Sequence, residues 1–203
     1  MLISPLMGKE FSLRVPGGWL APSSASGLLD GLKAHEKLLL FSEGSMTLEL
    51  ELLTGSRVAV ELKFMGERAL SGQEAQFLGV SQGENALERE VWLVAGKTKL
   101  LYAHTLIPAG CIDSEVRKAL DANSLEPLGR VLTSRGVLFA KKRLEASVVM
   151  CDSVTADLGL AQGSSLYARR YILYNKGERG WVIKTAVTEV FSPALIGGHG
   201  VAR

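Results

Sequence analysis

Alternation of apolar and polar positions runs through the middle and the end of the chain. In TLELELLTGSRVAVELKF, residues 47–64, Leu48, Leu50 and Leu52 alternate with Thr47, Glu49 and Glu51. After TGS, Val58, Val60, Leu62 and Phe64 alternate with Arg57, Ala59, Glu61 and Lys63. A period of two places each set on one face of a strand, so the stretch predicts an antiparallel hairpin with one wet face. A second pair of strands is predicted at 87–94 and 98–107, joined at AGK and closed by Pro108. Three more follow at 137–149, 165–175 and 180–191, the last two as a hairpin around NKGERG.

Helical signals lie between these strands rather than alternating with them. Ser24 or Ser26 can cap a short helix through LLDGLKAHE, in which Leu28, Leu29 and Leu32 share a face. DSEVRKALDANSLEPLGRVL has helix-forming composition, with Asp113 or Ser114 as its cap and Pro127 opening a second short helix. Residues 150–164 read as a loop or a short helix laid over the sheet. Strands in a run with helices set apart give an α+β fold built on an antiparallel sheet. The Gly-, Pro- and Ser-rich start makes residues 1–23 an irregular lead-in, and 197–203 a loose tail.

Composition narrows the function classes. A chain of 203 residues, 47% hydrophobic and 22% charged, predicts a single globular domain, residues 1–203. A net charge of +2 makes no electrostatic case for nucleic acid or a membrane surface, though the second half is mildly basic. The KKR run at 141–143 has no interleaved stacking aromatics and reads as solvated. MLISPLMGKE lacks a basic signal start, LLLF at 38–41 is far too short to span a bilayer, and Cys111 and Cys151 read as reduced thiols. The expectation is a cytoplasmic protein without membrane insertion, as a monomer or small oligomer.

Two charges break the alternation. In ALEREVWLV, Arg89 shares its parity with Leu87, Val91 and Leu93. In WVIKTAVTEVF, Glu189 shares its parity with Ile183, Val187 and Phe191. A guanidinium and a carboxylate on buried faces each need a partner. Two arrangements satisfy that need: a direct Arg89–Glu189 ion pair, or a closed pocket. In the pocket, Arg89 takes a ligand carboxylate bidentately and Glu189 meets a polar group at the far end. Weaker candidates are GSMT at 44–47, whose backbone N–H groups could meet an anion although a loop leading into a strand is the commoner reading, and EPLGR at 126–130, where Leu128 lies in the first turn of a predicted helix with free N–H groups. His104 could titrate near neutrality, although a lone strand histidine is more often structural. His35, His104 and His199 do not cluster, which argues against a metal site, and no GxSxG, P-loop, dinucleotide or HExxH motif occurs.

Taken together, four blocks resemble the chorismate lyase family: GSMT at 44–47, REVWLVAGKTKLLYAHTLIP at 89–108, PLGRVL at 127–132 and VTEVFSP at 187–193. The resemblance implies a six-stranded antiparallel sheet whose helices and loops enclose a small site. It also implies cofactor-independent conversion of chorismate to 4-hydroxybenzoate and pyruvate, an activity that usually supplies quinone biosynthesis. Carried over by position, Arg89 and the backbone amides of Met46 and Leu128 hold the ring carboxylate, and Glu189 meets the ring hydroxyl. Ala103-His104 stands where the family has Gly-Arg, so His104 is a further candidate contact of altered character. The same fold serves effector-binding domains of transcriptional regulators. A non-catalytic aromatic-acid binder, or a lyase for a related cyclohexadienyl acid, is therefore the alternative reading.

Overall fold

In a computed structural model that describes residues 11–178 and 180–197, six strands form one antiparallel sheet. They are β1 (Val58–Ala69), β2 (Asn85–Ala95), β3 (Thr98–Pro108), β4 (Ala140–Met150), β5 (Ser165–Gly177) and β6 (Gly180–Phe191), in the spatial order β1-β2-β3-β6-β5-β4. The helices are α1 (Ala34–Phe41), α2 (Met46–Thr54), α3 (Gly72–Leu78), α4 (Ser114–Ala122), α5 (Leu128–Thr133) and α6 (Asp152–Asp157). The fold is α+β, as the pattern predicts. No helix among the described residues is long and apolar enough to cross a membrane.

The first hairpin is not formed. β1 pairs with β2 instead, and 46–54, read as its partner strand, is helix α2. Leu and Glu are strong helix formers, the Ser45 hydroxyl accepts from the Leu48 N–H, and Gly55 ends the helix at φ 63°. Helical geometry turns successive alternate residues by about 200°, which scatters the three leucines that a strand would align. Leu50 is fully buried while Leu52 is 76% exposed. Near the N-terminus, the helix expected through 28–36 is displaced. Short 3-10 turns at Pro22–Ser24 and Gly27–Leu29 make no side-chain cap bonds, and α1 begins only at Ala34. The other predicted elements fall close to their places: Asp113 caps α4, Pro127 precedes α5, and 150–164 contains α6.

Both faces of the inner strands are covered, while edge strand β1 keeps the wet face predicted for it, with Ala59, Glu61 and Lys63 exposed between the more buried Val58, Val60 and Leu62. On one face, α1 and α2 pack with Val91, Leu93, Leu101 and Phe191, while α4 and α5 pack with Leu87, Ile107, Leu173 and Val187. On the other, α3, α6 and residues 11–19 cover Leu106, Trp92, Tyr102, Leu166 and Val190. Cys111 and Cys151 are buried free thiols. Residues 1–10 of the lead-in, 198–203 of the tail including His199, and Arg179 of the last turn lie outside the described residues.

Candidate functional site

Between the two apolar clusters of the helix-covered face lies a narrow cavity, about 600 Å³ with its mouth included. Its floor is the sheet: Arg89 and Val91 from β2, Ala103 and Thr105 from β3, Val187 and Glu189 from β6, Tyr171 and Leu173 from β5. Register explains the spacing. Arg89 sits opposite Thr105, and Ala103 opposite Glu189, so β3 separates the two charges with small side chains. Residues 44–47 at the start of α2 and 127–129 at the start of α5 form its walls, and Lys141 of edge strand β4 completes them.

Arg89 is 3% exposed and has no acidic partner among the described residues. Its Nη2 donates to the carbonyls of Ser124 (2.8 Å) and Glu126 (2.9 Å), in the segment joining α4 to α5, while the buried Nε has no partner. Burial lowers its pKa to about 10, so the group stays charged at neutral pH. Both Nη2 hydrogens are spent on carbonyls. A bidentate carboxylate would have to share one of them, whereas Nε is free to donate at once. Met46 and Leu128 are the first residues of α2 and α5, where backbone N–H groups lack intrahelical acceptors, and both line the cavity with Arg89. The Gly44 turn before α2 is tight, since a Cβ there would lie 2.5 Å from Glu49 Oε1.

Glu189, 4% exposed, does not pair with Arg89. Its cation is Arg169, directly across the β5–β6 ladder and fully buried, whose Nε meets Glu189 Oε2 at 2.5 Å. The Tyr171 hydroxyl donates to Glu189 Oε1 at 3.1 Å. Burial, reinforced by the adjacent carboxylate, pushes the Tyr171 pKa well above its usual value, so it remains a donor. Arg169 Nη1 also donates to the carbonyls of Leu39 (2.7 Å) and Ser42 (3.0 Å), tying the ion pair to the turn that leads into α2. The direct Arg89–Glu189 pair left open by the sequence is therefore absent, and a different arginine fills the structural role.

Three groups at this site are not among the residues singled out from the sequence. Arg169 shares parity with Tyr167, Tyr171 and Leu173, so the test that singled out Arg89 would have found it on β5. Tyr171 reads as core. Lys141, expected to be solvated, instead lines the cavity, with Nζ donating to Gly44 O (2.7 Å) and Ser42 O (3.3 Å) and lying 4.8 Å from the Tyr171 ring centroid. Nothing in its local pattern marks this, because β4 carries a register irregularity between Lys142 and Glu145.

His104 lies elsewhere. Even positions of β3 face the opposite side of the sheet, where its Nε2 is 2.7 Å from Glu88 Oε1 and its ring stacks on Phe11 at 4.2 Å. It is not brought to the cavity. Glu88, Glu90 and His104 are close enough to share a metal ion, but Glu88 is also committed to Arg68 at 2.9 Å, and Glu90 accepts from the Tyr102 hydroxyl. The cavity itself is lined by one carboxylate and by no histidine or cysteine, a donor set poorly matched to a metal ion. It can bind a carboxylate at one end and hydrogen-bond a hydroxyl at the other.

Comparisons with known proteins agree with this architecture. The chain is 29% identical over 175 residues to a probable chorismate pyruvate-lyase from Coxiella burnetii, covering 80% of this chain and 85% of the relative. A probable chorismate pyruvate-lyase from Nitrosospira multiformis is 26% identical over 180 residues, covering 87% and 92%. Among solved structures, PhnF from Mycobacterium smegmatis matches with a TM-score of 0.57 at 18% identity, over 76% of this chain and 66% of that one. The separate PhnF effector domain matches with a TM-score of 0.56 at 16% identity, over 76% and 91%. At such identity these two speak to the fold alone. The family model described as chorismate pyruvate-lyase Rv2949c-like matches residues 40–197, and the chain belongs to that family.

Proposed function

We propose that the cavity binds chorismate and eliminates pyruvate from it, leaving 4-hydroxybenzoate, without a cofactor. What carries the reading is the buried Arg89, with no partner for Nε and no counter-ion among the described residues, at one end of a cavity whose other end holds Glu189. Arg89 and the N–H groups of Met46 and Leu128 take the ring carboxylate. Glu189, fixed by Arg169 and Tyr171, accepts a hydrogen bond from the C4 hydroxyl. In the reaction the C3–O bond breaks and its electron pair leaves on the enolpyruvyl oxygen. The C4 proton departs, the enol takes up a proton at carbon to become pyruvate, and the ring becomes aromatic. Aromatisation drives the chemistry, so the protein's task is to hold the ring and stabilise developing charge. Glu189 lies where it can assist the proton transfer.

The test is direct: purified protein and chorismate, no added metal, with 4-hydroxybenzoate and pyruvate followed together. Equimolar release of both is expected. Binding of 4-hydroxybenzoate without turnover would make the domain a sensor of aromatic acids, and the absence of both would point to a different ligand.

A further inference from the structure

The cavity wall carries three formal charges, Arg89, Lys141 and Glu189. Glu189 is already matched by Arg169, in a pair almost closed to solvent. Arg89 and Lys141 are left over, and neither forms an ion pair with any described residue. Both are instead held by backbone carbonyls: Ser124 and Glu126 for Arg89, Gly44 and Ser42 for Lys141. Carbonyl dipoles and the Tyr171 ring offset the cost of burying an ammonium without neutralising it. The site therefore holds two uncompensated cations from well-separated strands, Arg89 from the inner strand β2 and Lys141 from the edge strand β4.

We propose that Lys141 receives a second carboxylate, so that the site selects dicarboxylates over monocarboxylates, with one anionic group on Arg89 and the other on Lys141. The inference rests on the chorismate reading for which carboxylate goes where: the ring carboxylate lies on Arg89 and the enolpyruvyl carboxylate on Lys141. It gives the site a way to tell substrate from product. Chorismate carries two carboxylates and 4-hydroxybenzoate one, so product leaves the Lys141 position empty and gains nothing from it. Burial and the nearby Arg169 lower the Lys141 pKa to about 8, as expected of a cation waiting for an anion in a water-poor place.

The experiment compares 4-hydroxybenzoate with 3-(carboxymethoxy)-4-hydroxybenzoate, an unreactive ligand that differs by a second carboxylate at the position of the enolpyruvyl ether. Calorimetric titration of the native protein, Lys141→Met and Lys141→Arg gives the affinity ratio of the two ligands. The native protein is expected to favour the dicarboxylate by roughly ten- to a hundredfold, the range of one charged hydrogen bond. Lys141→Met abolishes that preference, bringing the affinity ratio of the two ligands to about one, while Lys141→Arg retains most of it. A lysine that only pins the 42–44 turn would weaken both ligands alike and leave the ratio intact, which overturns the proposal. Equal affinity of the native protein for the two ligands also overturns it, whether or not the Met variant folds. Preference without chorismate turnover would sink the reaction and leave the dicarboxylate site standing. Turnover with a KM unchanged in Lys141→Met would do the reverse.

Discussion

Replacing Arg169 by leucine strands Glu189 Oε2 and the carbonyl of Leu39, and leaves the Ser42 carbonyl with Lys141 as its remaining donor. All lie where water does not readily follow, since Arg169 is 0% exposed. Removing one member of a buried pair costs about 3–5 kcal/mol, because the remaining charge is left without compensation. For a chain of this size each kcal/mol lowers Tm by about 2–4 °C, so Arg169→Leu should melt roughly 6–20 °C below the native protein. The double variant Arg169→Leu/Glu189→Leu removes the orphaned charge as well and should recover part of that loss, despite carrying two substitutions. Urea unfolding at fixed pH, analysed by linear extrapolation, reads both. A single variant within about 1 kcal/mol of native, or a double variant whose loss equals the sum of the two singles, would show that the pair is not held as described.

Arg89→Met should raise the KM for chorismate and the Kd of 4-hydroxybenzoate by roughly a hundredfold while lowering kcat far less, since the guanidinium serves bound states and transition state alike. Glu189→Ala should act mainly on kcat in steady-state turnover, by roughly ten- to a thousandfold. The Lys141 ammonium, facing Arg169, Glu189, Glu49 and Glu43, binds anions only when protonated, so kcat/KM for chorismate should fall as pH rises through about 8. Affinity for 4-hydroxybenzoate, titrated over the same range, should stay nearly level. His104→Ala, on the far face of the sheet, should leave kcat/KM within about threefold of native while lowering the urea midpoint, because it removes a partner from buried Glu88 and a stacking surface from Phe11.

How far the sequence could be read depends on which element is asked. The β2–β3 hairpin was legible because its alternation, its AGK turn and its closing Pro108 agree with one another, and its observed bounds differ by only a residue or two. The stretch 46–54 misled because Leu–Glu alternation satisfies a strand template, while the same residues have high helix propensity and are bracketed by a serine cap and a left-handed glycine. The outer edge of β1 carries no partner strand among the described residues, and 46–54 takes the helix that its propensity and caps favour. His104 is better described by the structural reading than by the ligand contact the resemblance suggests. Its parity places it with Tyr102 rather than with Ala103 and Thr105, so the sequence contained the evidence that it faces away from Arg89's side of the sheet.

Parity detects a charge on a buried face, but cannot say whether its partner is resident or a ligand. Arg169 and Arg89 look alike in that test, each an arginine among hydrophobes on an inner strand. What separates them is three-dimensional: Arg169 faces a carboxylate across one ladder rung, and Arg89 faces a threonine. An arginine with a resident anion has its burial cost offset in the free protein, even though Arg169 Nη2 is itself buried without a hydrogen-bond partner among the described residues. Arg89, held by two carbonyls with its Nε unpartnered, keeps most of its electrostatic attraction for whatever enters the cavity. Lys141, on the edge strand β4, is likewise held by two carbonyls. The chain thus settles one buried arginine internally, through Glu189, whereas Arg89 and Lys141 have no anionic partner among the described residues. That division makes the Arg169–Glu189 pair a fixture of the empty site and Arg89 the group whose loss should be felt first in binding.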